Sequence, residues 1–265
     1  MLTEVKKSLR LMAYYIKFNL SSAMEYRASF LIQFFGMILN NSAFIFFWWV
    51  LFQNVNTIGG YGFKDEMLLW CLSSTSYGIC HVVFGNVRYV TRMIMNGELD
   101  PYLLQPKDPL VNMLCSKTIV SAWGDTLYGV IMFFIIRGLD IKGFLLFVLF
   151  SIAAALIQAA VLFTFHCLTF LMGNAQGIVD MVQEFLINFG IYPDGIFPDG
   201  LKYILYTIIP VGFMIYVPAQ AIKSISWTSL IWVMVAAVIW ILIAYVAFYR
   251  GLKKYESGNL IGGKL

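Results

Sequence analysis

The sequence predicts an all-α, polytopic membrane protein with about six transmembrane helices. Hydrophobic residues make up 60% of the 265 residues, charged residues make up 12%, and the mean hydropathy is +0.79. A soluble domain could not hide such a composition from water. The chain also contains several apolar runs, each close to the roughly 20 residues that a helix needs to cross a bilayer. Short connections separate these runs, so the chain has no room for a large soluble domain.

The N-terminal segment, residues 4–21, predicts an amphipathic helix that lies in the membrane interface. Its apolar residues form one helical stripe, and its cationic residues lie on the opposite side. The first predicted span, about 30–52, contains no charged residue. Trp48 and Trp49 lie near its end, as expected of side chains at the depth of the lipid headgroups. The second, about 67–87, is less apolar, as expected of a span that faces protein or a cavity.

Four further apolar runs complete the six predicted spans. They cover about 112–136, 143–172, 178–192 and 229–249. Before the last span, residues 193–218 include an apolar stretch that is too short, and too interrupted by Pro210, to cross the membrane. Because irregular backbone is not tolerated in lipid, we expect an external re-entrant region packed against protein.

Lysine and arginine are distributed unequally between the two sides of this topology. Thirteen of the 18 lie on the side that holds both termini and the loop after the second span. The positive-inside rule therefore predicts cytoplasmic termini and an even number of spans in a multi-pass protein of the cell membrane.

The cytoplasmic loop after the second span, residues 96–108, is the most hydrophilic internal segment and reads GELDPYLLQP from Gly97 to Pro106. Asp100 followed by Pro101 is a good N-cap and first-turn pair. We therefore expect a short helix that begins there and stops near Pro106, a plausible docking element. An ordinary polar turn is the alternative.

This loop also carries a family resemblance. The pattern GxLDxxLxxP just after a second span resembles the loop of the ABC-2 type permease family, particularly its six-span, daunorubicin-exporter-like branch. Further segments similar to that family are 193–198, 209–213, 216–219 and 251–257. Their order and spacing cover nearly the whole chain. One departure is Gln105, where the family often has a basic residue, so the salt bridge that the family pattern implies there is not carried over.

The resemblance implies one half of an ABC exporter that uses a separately encoded ATPase. ATP and Mg²⁺ would be bound by that partner, and a second permease, identical or related, would complete the transporter. The substrate would be a hydrophobic or amphiphilic compound moved outward. The residues implied to dock on the ATPase are Glu98, Leu99, Asp100, Tyr102 and Leu103.

No motif in the chain predicts an enzyme. A GxxxxGK[ST] phosphate loop is absent from the sequence, so we do not expect this chain to bind ATP itself. No Ser/His/Asp set, HExxH motif or thiol nucleophile pattern is present, so we assign no catalytic residue. His81 and His166 have no second ligand at metal spacing, which favours packing hydrogen bonds over a metal site. We expect the lipid bilayer as the environment and no nucleic-acid partner.

Three acidic residues at membrane depth are candidates for a substrate path that accepts a cation. Asp125 lies near the middle of the third span, and Asp180 and Glu184 share one face of the fifth. A charge buried in hydrocarbon is costly unless it is paired or neutralised, so such residues are often functional. Alternatively, Asp125 hydrogen-bonds a neighbouring helix, and the other two lie near the cytoplasmic interface.

Two other functions remain open. An ATP-independent secondary carrier or channel would need no ATPase and no docking loop. An intramembrane enzyme acting on lipid would need catalytic polar residues that face each other at one depth, whereas the candidates here are scattered along the chain.

Overall fold

The computed structural model describes residues 2–255, and its fold is built from helices. Within that range the β pairing amounts to one isolated bridge between Ile58 and Tyr61. The predicted all-α fold class is therefore confirmed. The helices are α1 (Leu2–Ala23), α2 (Arg27–Phe52), α3 (Phe63–Val83), α4 (Val90–Met95), α5 (Asp100–Leu103), α6 (Pro109–Leu114), α7 (Ala122–Arg137), α8 (Ile141–His166), α9 (Thr169–Met172), α10 (Gln176–Gly190), α11 (Asp199–Thr207), α12 (Val217–Ser224) and α13 (Thr228–Leu252).

Three helical runs in the described residues are long and apolar enough to cross a membrane: Lys6–Phe52, Ile141–Met172 and Thr228–Leu252. Two bent pairs of helices raise that number to as many as five. α7 and α10 have 16 and 15 residues. At about 1.5 Å per residue, they fall short of roughly 30 Å of hydrocarbon. A polytopic membrane protein is confirmed, and the count of six spans stays a prediction.

The predicted third span, 112–136, is not one continuous helix. Residues 115–121 separate α6 from α7. Two asparagines from elsewhere in the chain, Asn86 and Asn19, donate to carbonyls at the end of α6 at 2.9 and 3.2 Å. Irregular backbone is tolerated here because the carbonyl groups at the break form hydrogen bonds with other parts of the protein.

α8 is the central helix of the bundle. α3 and α13 pack closely beside it, and α7 packs against α3. The most apolar stretch of α8 is 72% buried, against 22% for α13, which leaves α13 at the periphery. Gly78 of α3 and Gly129 of α7 each face the backbone of the other helix, and a Cβ atom at either position would overlap with it. Residues without a side chain allow this close approach, which supplies the packing that holds helices together in lipid.

The chain between α10 and α13 forms short, bent helices. α11 and the run Gly212–Ser224 meet at 80° around a break that contains Pro210. The Tyr216 hydroxyl donates a hydrogen bond to the carbonyl of Phe189 in α10. This packed segment corresponds in place to the predicted re-entrant region, 193–218.

α1 and α2 follow each other almost without interruption. Tyr26 breaks the helix, with φ −99° and ψ 68°. The run Lys6–Phe52 has 47 residues, so a straight rod would be about 70 Å long, more than twice the hydrocarbon thickness. Only part of it can span the bilayer. α1 packs Met12 and Tyr15 near Phe84, at the end of α3, a place that suits the predicted interfacial helix.

Candidate functional site

The loop 96–108 forms a compact turn at the end of the bundle. Gly97 reverses the chain after α4 with a φ of +74°, which glycine adopts without strain. α5 then covers Asp100–Leu103, so the expected short helix is present. Asp108 closes the loop as the N-cap of α6, where its Oδ1 accepts a hydrogen bond from the Val111 N–H at 3.0 Å.

Asp100 does not cap α5, in contrast to the sequence-based expectation. Leu99 occupies the N-cap position with helical backbone angles, and no side chain caps the helix there. Oδ1 of Asp100 instead accepts a hydrogen bond from the hydroxyl of Tyr255 at 3.0 Å. Burial and this bond raise the pKa of Tyr255 to about 12, so the hydroxyl keeps its proton at neutral pH. Because Tyr255 follows α13, the bond ties the loop to the end of the last helix.

Further hydrogen bonds fix the loop to the N-terminal side of the bundle. The Tyr102 hydroxyl donates to Ser116 Oγ at 3.1 Å. Asn112 Nδ2 donates to Gln105 Oε1 at 2.9 Å, and Asn112 Oδ1 accepts from the Tyr15 hydroxyl of α1 at 2.6 Å. Gln105, the position where the family often has a cation, therefore acts as a neutral acceptor in this chain.

The five residues implied to dock on an ATPase divide between core and surface. Leu99 is 1% exposed and belongs to the main hydrophobic core. Asp100 and Tyr102 are half-buried, and Glu98 and Leu103 are exposed. A partner could therefore touch Glu98 and Leu103, whereas the side chain of Leu99 stabilises the loop from within.

Leu104 is the most exposed leucine of the loop, and sequence reasoning missed it. Its side chain is 86% exposed, beside Leu103 at 37%. An exposed leucine pair at the tip of a loop favours a surface that another protein covers over an ordinary polar turn. Two adjacent leucines in one helical turn point about 100° apart, so the sequence suggested that they differ in burial without indicating which one is exposed.

Asp125 and Glu184 line one cavity, of about 350 Å³, between α2, α3, α7 and α10. Asp125 lies in the first turn of α7 rather than in the middle of a span, and it is 3% exposed. Its Oδ1 accepts a hydrogen bond from Asn41 Nδ2 of α2 at 2.7 Å, so the bond to a neighbouring helix is present. Its Oδ2 has no partner among the described residues. The lining consists of Met37, Asn40, Asn41, Phe44, Trp70, Ser73, Ser74, Tyr77, Asp125, Glu184, Ile187, Asn188, Ile191 and Tyr192.

Asp180 lies at a second cavity, of about 500 Å³, near the start of α10. That cavity is lined by Arg88, Tyr89, Arg92, His166, Gln176, Val179, Asp180 and Gln183. The structure thus separates Asp180 from Asp125. Asp180 and Glu184 nevertheless share the exposed face of α10 with Asn188, whose Nδ2 lies 3.3 Å from Glu184 Oε2. In a membrane, such a polar face has to meet water or protein rather than lipid.

Sequence reasoning missed the contribution of α2 to the first cavity. Asn40 and Asn41 line it. The available signal was two adjacent asparagines within an uncharged run, since polar side chains in spans often bond across helices. Arg88 and Arg92, two of the 13 cationic residues on the predicted cytoplasmic side, line the second cavity.

The two histidines form hydrogen bonds within the bundle. His166 Nδ1 accepts from the backbone N–H of Thr91 at 3.2 Å, and His81 Nδ1 lies 3.0 Å from the carbonyl oxygen of Tyr77. No group of three or more His, Cys, Asp or Glu side chains that could hold a metal ion occurs in the part of the chain that the structure describes. The four cysteines are buried thiols, as expected of packing residues.

One family covers most of the chain. The family model for "ABC-2 family transporter protein" matches residues 37–259. The chain belongs to the ABC-2 transporter family. The match includes the loop 96–108 and both cavities, and it confirms the resemblance noted in the sequence. Searches of curated proteins and of solved structures found no match. ABC-2 permeases are the membrane components of ABC transporters, so this chain is a permease component that works with an ABC ATPase.

Proposed function

We propose that this ABC-2 permease is the membrane half of an ATP-driven exporter that moves a hydrophobic or amphiphilic compound outward. A separately encoded ATPase binds ATP and Mg²⁺ and docks on the loop 96–108, and a second permease, identical or related, completes the transporter. The chain is a multi-pass protein of the cell membrane with cytoplasmic termini. The bias of Lys and Arg toward that side supports this orientation.

The exposed tip of the anchored loop carries this proposal. Glu98, Pro101, Leu103 and Leu104 are exposed, while the hydrogen bond from Tyr255 helps to hold the loop in place. The tip therefore combines an apolar centre with one acidic edge. A preorganised surface of this kind loses little conformational entropy when it binds a groove in another protein.

α3 connects the docking loop to the first cavity. Ser73, Ser74 and Tyr77 of α3 line that cavity. Beyond the end of α3 the chain bends by 77° into the run Gly85–Met95, which leads directly into the loop. A displacement of the docked loop would therefore act on one wall of the cavity, and closure of the ATPase subunits would change access to it.

The polar face of α10 supports a second permease and a path between the two subunits. Asp180 and Glu184 are exposed in the single chain, and exposing them to hydrocarbon would be costly. A facing subunit would enclose them with the buried Asp125. Phe44 and Trp70 add apolar walls to the same cavity, which suits a substrate with an apolar body and a cationic group.

Purification of the tagged chain from its native membrane tests the docking loop. The informative variant is Leu104→Arg, and the matched control is Leu139→Arg. Leu139 is 91% exposed in the connection between α7 and α8, which the predicted topology places on the other side of the membrane. We expect an ABC ATPase and ATP hydrolysis to accompany the wild type and Leu139→Arg, and to be lost with Leu104→Arg at unchanged thermal stability.

Two results would contradict the proposal. Equal recovery of the ATPase with both variants would place docking elsewhere on the chain. A well-folded wild-type permease that purifies alone, without ATPase activity, would favour the ATP-independent carrier or channel.

A further inference from the structure

Two cavities adjoin beneath the N-terminal helix α1. One is polar, has a volume of about 410 Å³ and lies between α1 and the end of the docking loop. The other is apolar, has a volume of about 210 Å³ and lies between α6, α8 and α13. Asp108 lines both cavities, and α1 contributes Leu11 to the first and Met12 to the second. The two spaces are therefore neighbours on either side of Asp108, one with cationic side chains and one apolar.

The polar part is cationic. Lys7 and Arg10 of α1 and Lys107 of the loop line it, against a single carboxylate from Asp108. One oxygen of that carboxylate already accepts a hydrogen bond from the Val111 N–H. Among the side chains of residues 6–255, neither Arg10 nor Lys107 forms a salt bridge. This arrangement is complementary to an anion such as a phosphate group.

The apolar part is a slot between two membrane helices. Ala159 and Ala160 of α8 and Ala244 of α13 line it, and their small side chains leave space between the helices. Ile241 at its edge is 41% exposed, so the slot opens toward the surroundings of α13. Because α13 is a peripheral membrane helix, those surroundings are lipid, and a hydrocarbon chain is the natural occupant.

We propose that an anionic glycerophospholipid of the cytoplasmic leaflet binds at this site. Its phosphate lies between Arg10 and Lys107, and one acyl chain lies in the slot between α8 and α13. Basic pockets beside membrane helices on the cytoplasmic side are suited to anionic headgroups, and the apolar slot adds selectivity for an intact lipid. The bound lipid would hold α1 against the docking loop, because each supplies one of the two cations. This inference rests on the proposed orientation of the chain, but not on transport or on the ATPase.

Lipid titration of the purified, delipidated chain in neutral detergent tests the site. The added compounds are phosphatidylglycerol, phosphatidylcholine with the same acyl chains, and glycerophosphoglycerol, which is the headgroup of the first without its chains. Thermal unfolding gives the apparent affinity, and native mass spectrometry counts the bound lipids. We expect saturable stabilisation by phosphatidylglycerol alone.

Two matched double variants separate this site from general surface charge. Arg10→Gln with Lys107→Gln should weaken the binding of phosphatidylglycerol at least tenfold. Arg27→Gln with Lys17→Gln removes the same types of charge from exposed positions on the same N-terminal helical run, and it should leave the affinity unchanged. All four residues are exposed, so these changes should not disturb folding.

The slot is tested by Ala244→Leu, which should reduce lipid binding while leaving Arg10 and Lys107 in place. Equal affinities for phosphatidylglycerol in the two double variants would overturn the proposal, as would equal stabilisation by phosphatidylcholine. Binding of glycerophosphoglycerol as tight as that of the intact lipid would show that the site recognises a free phosphate ester and not a phospholipid.

Discussion

Replacing Tyr255 by phenylalanine tests whether the last helix positions the docking loop. The change keeps the ring, which meets Phe170 edge to face at 6.2 Å, and removes the hydroxyl that donates to Asp100 at 3.0 Å. A hydrogen bond to a charged group contributes about 1.5–3 kcal/mol. Because both residues are half-buried and partly screened by water, we expect a loss of about 1 kcal/mol.

That loss should appear as local opening of the loop. Since about 1.4 kcal/mol corresponds to a factor of ten, 1 kcal/mol predicts roughly fivefold faster hydrogen exchange in residues 96–108 and roughly fivefold weaker ATPase binding. The assay uses the permease in nanodiscs, with exchange read by mass spectrometry and affinity read by titration of the ATPase. Tyr203→Phe, at a 76% exposed tyrosine of α11, is the matched control and should change neither quantity.

A double-mutant cycle with Asp100→Ala isolates the bond itself, and we expect a coupling energy of about 1 kcal/mol. The raised pKa of Tyr255, about 12, adds a pH signature. The stabilisation is complete below the ordinary tyrosine pKa of about 10 and is lost as the pH rises toward the folded value. Additive single changes, or unchanged exchange in Tyr255→Phe, would show that the loop keeps its position without the last helix.

Three further predictions concern stability, measured by thermal unfolding in detergent. Gly129→Ala should destabilise the chain by about 1–3 kcal/mol, because the added Cβ would meet the backbone of α3. Gly36 has open space around it, so Gly36→Ala should stabilise the chain by about 0.5–1 kcal/mol. Equal effects of the two changes would refute the close packing of α3 and α7. Asp140→Ala should cost about 1 kcal/mol by removing the N-cap of α8. The Gly143 N–H and the Arg137 guanidinium, which both donate to Asp140, hold the pKa of its carboxyl below the usual range. The contribution of Asp140 to stability is therefore complete above about pH 4 and is lost below it. If the wild type and the variant lose stability in parallel on acidification, this reasoning is wrong. Asn41→Leu leaves the buried carboxyl group of Asp125 without the Asn41 hydrogen bond and should cost about 1–3 kcal/mol of stability. Adding Asp125→Leu should restore part of that stability. If the double variant recovers none of it, an unpaired polar group is not the cause.

The long apolar helices could be predicted from the sequence because their signal is local. α2, α8 and α13 follow uninterrupted apolar runs, and their bounds agree with the predicted spans to within a few residues at most ends. The break at residues 115–121 could not be predicted in this way. It depends on Asn19 and Asn86, which are distant in the sequence and donate hydrogen bonds to the carbonyls at the end of α6.

The docking loop shows the same division between local and distant information. Its place and its short helix were predicted from Asp100, Pro101 and the family pattern, although Asp100 does not cap the helix. Burial did not, because Leu99 and Leu104 are both apolar and differ only in what the rest of the chain packs against them. A helix of one turn has too few residues for periodicity to indicate which side faces inward.

The acidic residues show what spacing within a helix can and cannot predict. Asp180 and Glu184 lie four residues apart and share one face of α10, as the spacing predicts. Four residues also advance the helix by about 6 Å, and this step moves the side chain from a cavity lined by Arg88 to one lined by Asn41. The cavity at Asp180 is lined by two arginines, whereas the lining of the cavity at Glu184 and Asp125 contains no lysine or arginine. This difference depends on Arg88, Arg92 and Asn41, which the sequence of α10 does not contain.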